Sequence, residues 1–176
     1  KPQTPNPKPQ TPNPKPRIDC ISKYSLAMKP QIDLSEYSLE EIDFHSPKYA
    51  IVKDLREVYE EDYEDDAADL KEGDEVSLIF ILYHKGQAVA TCRLEQVVNK
   101  LKVGRVAISR QFKHKGYLKI MFALLCKHMY PRLKPGEGFT SCAYSFLREV
   151  YNTLGLKEFG EFFYGYGGFS YIQMNV

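Results

Sequence analysis

The chain has 176 residues, 43% of them apolar, with ten Phe and thirteen Tyr, which is material for one compact core rather than two. No apolar run approaches the roughly 18–20 residues of a membrane span and the first residues lack a secretory profile, so a membrane or exported chain is not expected and a cytoplasmic one is. The net charge of +1 hides a division: +4 over residues 1–17, six basic against eighteen acidic residues over 18–75, and fourteen against five over 76–176, so that the last part can attract anions.

Residues 1–14 are KPQTPNP written twice, followed by Lys15 and Pro16. Pro at every second or third place removes backbone donors and favours extended polyproline II, and no apolar residue repays the entropy of ordering, so residues 1–17 read as a disordered linker. A linker implies something tethered. With no Met at its start, the chain is read as a piece of something longer. Residues 18–45 read as an arm ending in a strand near Leu39 to Phe44, and 46–176 as the folded domain.

Ser46 and Pro47 supply an N-cap hydroxyl and a first helical residue with preset φ, and Tyr49, Val52, Leu55, Arg56 and Tyr59 recur at helical spacing, predicting a helix over 47–62. It runs into the stretch 57–75, which holds eleven of the twenty-three carboxylates and reads either as a solvated acidic face or as an attractor for a cationic ligand. Val76–Tyr83 (VSLIFILY), a turn at HKGQ and Ala88–Val98 predict an antiparallel hairpin, and Leu101–Ser109 a third strand. Tyr117–Leu133 has helical periodicity and stops near Pro131; Phe139–Ala143 reads as a strand, Ser145–Leu154 as a helix closed by Gly155, and Glu158–Tyr164 with Gly168–Met174 as a final strand pair. The order predicts an α+β fold: a mixed, mostly antiparallel central sheet of six to seven strands flanked by helices.

Four Cys (Cys20, Cys92, Cys126, Cys142) form no CxxC pair and three lie in apolar stretches, so buried free thiols are expected rather than disulfides or zinc. The four His show no ligand spacing, and no metal is expected. The stretch Lys102–Lys119, KVGRVAISRQFKHKGYLK, holds six basic residues and no acid, and runs strand, loop, helix start. A loop that delivers backbone donors to the positive end of a helix beside Lys side chains has the physics of a pyrophosphate cradle, with Gly116 allowing close approach. The competing reading is a solvated basic turn.

From this stretch onward the chain resembles the GNAT acyl-CoA-dependent acyltransferases, over roughly residues 40–176. VAIS followed by RQFKHKGYL is similar to that family's fourth strand and phosphate loop, patterned as Arg or Gln, two residues, Gly, one residue, Gly or Ala. Here Lys113, Gly116 and Leu118 stand at those positions: Lys113 keeps the charge without the planar fork of Arg, and Leu118 puts a bulky side chain where close approach is usual. FLREVYNTLGLKEFGEFFYGYGGFSYIQM resembles the closing pattern of a Tyr-bearing helix, a Leu-Gly turn and two strands. The acidic stretch, the GRV of the fourth strand and the Gly-Gly-aromatic turn are most like the ElaA-like branch.

The resemblance implies direct transfer of an acetyl group from acetyl-CoA, the acyl donor, to a primary amine of a small molecule or peptide. It places Tyr151 as the general acid for the departing thiolate. Backbone groups of Val106, Ala107 and Ile108 would pair with the pantetheine amides. The amides of His114, Lys115, Gly116, Tyr117 and Leu118 would hold the pyrophosphate, with Lys113, Lys115 or Lys119 supplying charge. Glu95, beyond Arg93, is the candidate base, against the reading that it pairs with Arg93 or Arg105. The expected partners are the amine acceptor, a domain tethered through residues 1–17 and, at most, a second copy in a homodimer, without membrane or nucleic acid. The alternative is a catalytically weak GNAT-fold ligand-binding or interaction module. An acyl-homoserine-lactone synthase, which shares the fold, is disfavoured by the complete absence of Trp.

Overall fold

The computed structural model describes residues 33–63, 71–98, 100–134, 137–144, 147–164 and 170–175. The Pro-rich repeat and most of the arm lie outside these residues, as does the centre of the acidic stretch. Strands β1 (Tyr37–Ile42), β2 (Leu78–His84), β3 (Gln87–Val97), β4 (Lys100–Ile108), β5 (Gly138–Tyr144), β6 (Lys157–Tyr164) and β7 (Ser170–Asn175) form one sheet in the order β1-β2-β3-β4-β5-β7-β6. Among the described pairs only β4 and β5 run parallel, so the sheet is mixed and mostly antiparallel, as expected. Helices α1 (Tyr49–Tyr63), α2 (Tyr117–Met129) and α3 (Arg148–Thr153) flank it.

The uninterrupted apolar run of β2 follows from burial on both faces. Ile79 and Ile81 face α1, in a cluster with Ile42, Tyr49, Val52 and Leu55, whereas Phe80 and Leu82 join the larger core with Ile120, Met121 and Leu125 of α2. The hairpin turns through Lys85 and Gly86 at φ 50° and 80°, both left-handed, the twist that a two-residue β-turn requires. Ser46 Oγ accepts from Lys48 N at 3.3 Å, a cap at the entry to α1.

Three expectations need correction. Val76 does not begin a strand: Asp74–Val76 form a single 3₁₀ turn and Val76 is 88% exposed, because β2 starts only where both faces are covered. The helix beginning near Tyr117 gives way at Met129 to a 3₁₀ turn, Tyr130–Arg132, that accommodates Pro131. Of the cysteines, Cys92 is buried and Cys126 half-buried, but Cys142 is exposed on the outward side of β5.

The acidic stretch also conceals a core residue. Asp74 is fully buried; its Oδ2 accepts from Arg56 Nη1 and Tyr49 O–H, each at 2.5 Å, and its Oδ1 from Arg93 Nη1 at 3.0 Å. Arg93 also donates to the Glu72 carbonyl and pairs with Glu95. This cluster ties α1, the turn before β2 and β3 together. Burial pushes the Asp74 carboxyl up, but the hydrogen bonds from Arg56 and Tyr49 and the Arg56 charge outweigh it, so its pKa lies below the usual carboxylate value. Burial and the hydrogen bond to Asp74 push the Tyr49 phenol up to about 12.

Replacing Asp74 by Asn removes the buried carboxylate that Arg56 and Arg93 share, and urea unfolding should show a loss of about 3–5 kcal/mol. Because the folded pKa is depressed, the stabilisation from Asp74 ionisation is complete above about pH 4 and is lost as pH falls through the folded value. The variant should therefore have a flatter acid limb in a plot of stability against pH.

Candidate functional site

The site is built where β4 leaves β5. The two strands pair only from Lys100↔Gly138 to Val103↔Ser141, and Ser141 Oγ donates to the Val103 carbonyl at 3.0 Å at the last pair. Beyond it β4 stays with β3 as far as Ile108↔Ala90, and β5 stays with β7 as far as Tyr144↔Tyr171. The register between β3 and β4 steps by two residues on β3, Thr91 to Arg93, and by three on β4, Ala107 to Gly104. This bulge contains Arg105 at φ 49°, a left-handed conformation that is rare away from glycine. A Cβ placed on Gly104 would meet nothing within 4 Å, so there is open space beside the bulge.

Val106, Ala107 and Ile108 follow the bulge. Val106 and Ile108 are half-buried and pack on the main core, while Ala107 is 1% exposed and lies opposite Thr91. Ser109 N donates to the Val89 carbonyl at 3.0 Å and anchors the root of the loop on β3. The chain then makes a 3₁₀ turn, Arg110–Phe112, passes through His114 at φ 61° and Gly116 at φ 85°, and enters α2.

Gly116 is the N-cap of α2 and makes no side-chain cap; the Lys119 N–H donates to its carbonyl at 3.0 Å, so the N–H groups of Tyr117 and Leu118, which precede that first helical bond, carry the positive end of the helix dipole. A Cβ on Gly116 would also meet nothing within 4 Å; the left-handed backbone, rather than crowding, calls for glycine there. His114, Lys115 and Lys119 are exposed and Lys113 is half-buried. Lys115 Nζ lies 5.7 Å from the centre of the Phe112 ring. Tyr117 is 6% exposed, with its hydroxyl 2.8 Å from His84 Nδ1. Leu118 is half-buried and packs against the main core.

Tyr151 on α3 is 5% exposed, and its ring meets Phe122 edge-on at 6.0 Å. Glu95 lies on β3 opposite Lys102, with one oxygen paired to Arg93 and the other 3.3 Å from Lys102 Nζ. The structure thus gathers residues 106–119 around one end of β4, with Glu95 nearer its other end and Tyr151 in the core beneath α2. Sequence reasoning missed the bulge, although an isolated Gly104 in a β-branched strand is its usual signal. It also missed the contact of His84 with Tyr117, for which a separation of 33 residues leaves no local sign.

A groove of about 630 Å³ beside the outer strand, lined by Glu41, Lys48, His128 and Arg132 among others, lies at the Ile42 end of β1, away from the loop. Glu41 Oε2 there is 2.8 Å from His128 Nε2 and 2.5 Å from Arg132 Nη1. Among the described residues no group of His, Cys, Asp or Glu could hold a metal ion, and no helix is long and apolar enough to cross a membrane. Burial pushes the Cys92 thiol up to about 12, which makes it a packing residue.

Substitution of Leu118 by Gly should lower the unfolding free energy by about 2 kcal/mol, through lost burial and lower helix propensity. Thermal denaturation checks this; an unchanged melting temperature would mean that the side chain stands in solvent.

No protein-family model and no curated protein sequence matches the chain. Solved structures do. An acyl-CoA N-acyltransferase from Pseudomonas aeruginosa aligns with TM-score 0.65 and 18% identity, over 79% of this chain and 98% of that one. ElaA from Escherichia coli aligns with TM-score 0.62 and 18% identity, over 78% and 98%. A GNAT family acetyltransferase from Elizabethkingia anophelis, solved with acetyl-CoA bound, aligns with TM-score 0.58 and 10% identity, over 80% and 97%. The forked sheet, the bulge in β4 and the loop entering α2 are therefore features of a chain that has the GNAT acyltransferase fold, similar to that of ElaA.

Proposed function

We propose that the chain is an acyl-CoA-dependent N-acyltransferase that moves an acetyl group from acetyl-CoA to a primary amine of a small molecule or peptide. The observation that carries this reading is a coincidence of place: the arm of β4 beyond the fork ends in a basic loop that enters an uncapped helix N-terminus. A donor whose pantetheine amides pair along Val106–Ile108 would have its pyrophosphate at the amides of His114–Leu118, with Lys113, Lys115 or Lys119 beside it. Its thioester would then lie by the bulge and the open space at Gly104.

The acceptor nitrogen attacks the thioester carbonyl, the carbon–sulfur bond breaks, and the coenzyme A thiolate takes a proton from Tyr151 while the nitrogen loses one. Glu95 is the candidate to receive that proton, directly or through water. Its pairing with Arg93 and Lys102 also favours a second reading, in which the chain binds the donor without turning it over.

Calorimetric titration of the chain with acetyl-CoA, coenzyme A and ATP tests the donor site. Micromolar binding of the first two and much weaker binding of ATP is expected, and no binding up to millimolar concentration would remove the reading. An amine screen for thiol release separates the enzyme from the binding module.

Replacing Tyr151 by Phe should lower turnover by about one to three decades with donor affinity and melting temperature preserved, since the buried ring is retained. Unchanged turnover would take Tyr151 out of the mechanism.

A further inference from the structure

Three elements meet at the entrance to α2 through one imidazole. Tyr37 of β1 stacks on His84 at 4.5 Å with an interplanar angle of 10°, and the Tyr117 hydroxyl lies 2.8 Å from His84 Nδ1. The Glu36 carboxylate sits 3.4 Å from His84 Nε2 and also pairs with Lys85 at 3.1 Å. One tautomer serves the whole chain of contacts: Nε2–H donates to Glu36, which leaves Nδ1 to accept from the Tyr117 O–H. Phe112, on the turn that precedes the loop, meets the Tyr117 ring edge-on at 5.2 Å.

Tyr117 is the first residue of α2, immediately after the left-handed Gly116. Gly116 contributes no side-chain cap to the helix, so packing around Tyr117 helps to hold the first turn in place. We propose that His84 is a positioning residue for the donor site: by gripping the Tyr117 hydroxyl it fixes the first turn of α2, and with it the N–H groups that would receive the pyrophosphate. This rests on the donor reading given above, and adds a residue 30 positions before His114, where the loop that would hold the pyrophosphate begins. The grip is worth about one neutral hydrogen bond, which corresponds to roughly a tenfold change in affinity.

Two substitutions separate the hydrogen bond from the stack. His84→Phe keeps an aromatic ring against Tyr37 and removes the acceptor, while His84→Asn keeps an acceptor near the Nδ1 position and removes the stack. Coenzyme A affinity is measured by calorimetry for the wild type, both variants, Tyr117→Phe and the His84→Phe/Tyr117→Phe double variant, with melting temperature as the folding control. The expected result is about tenfold weaker binding for His84→Phe and for Tyr117→Phe, no further loss in the double variant, and a value within about threefold of wild type for His84→Asn. Wild-type affinity in His84→Phe, losses that add in the double variant, or His84→Asn as weak as His84→Phe would each overturn the proposal while leaving the donor site intact. A wild-type chain that binds no coenzyme A would overturn the donor reading and this one with it.

Discussion

The fork between β4 and β5 is the constraint on which the site depends. A sheet gains its stability from paired backbone groups, and strands that separate must each find other support. Here each arm keeps an antiparallel neighbour on its outer side, β3 for β4 and β7 for β5, so the arms stay extended while facing one another across a gap. The Ser141 hydroxyl on the Val103 carbonyl pins the point of separation, and the bulge at Arg105 turns β4 away just above it. Such a gap suits a ligand with peptide-like amides, which takes the place of a strand and needs little from side chains.

A buried charge cluster stands beside the bulge, since Arg93 lies opposite Gly104 in the register of β3 and β4. Asp74 would be costly to bury alone, and so would Arg56 or Arg93; together they satisfy one another and fix α1 over the sheet. The arrangement then passes outward, since Arg93 reaches Glu95 and Glu95 reaches Lys102, one residue before the last pair of the fork. The carboxylate proposed to accept a proton is thus joined through one arginine to the residue that anchors the first helix. A change in the packing of α1 has a direct route to the base of the cleft, through contacts rather than through distance.

Much of the fold was legible because its signals are local. VSLIFILY reads as a hairpin strand, which the structure starts at Leu78, HKGQ as its turn, and Ser46-Pro47 as a helix entrance, and each depends on neighbours within a few residues. Asp74 was not legible: it sits among eleven carboxylates, and only the distant Arg56 and Arg93 distinguish it from its solvated neighbours. Leu118 shows the same limit: its motif position carries no sign that the side chain also packs, half-buried, against the main core. The loop itself was found from charge and a glycine, but how it is held, through His84 and Tyr117, is a tertiary fact with no periodicity to betray it.

The basic half of the chain and the helix entrance divide the work of attracting an anion by distance. On the proposed donor reading, the six basic residues from Lys102 to Lys119 would draw a polyphosphate from solution, but salt screens their field beyond about 8 Å. Lys102 is already engaged with Glu95 and Lys115 leans over Phe112, so flexible ammonium groups supply charge without fixed geometry. Geometry has to come from the backbone, which at the start of α2 is set by Gly116 on one side and by the Tyr117 hydroxyl on the other. In a loop that has Lys113 instead of a planar guanidinium, that rigidity is what would convert a diffuse attraction into the proposed donor site of defined shape.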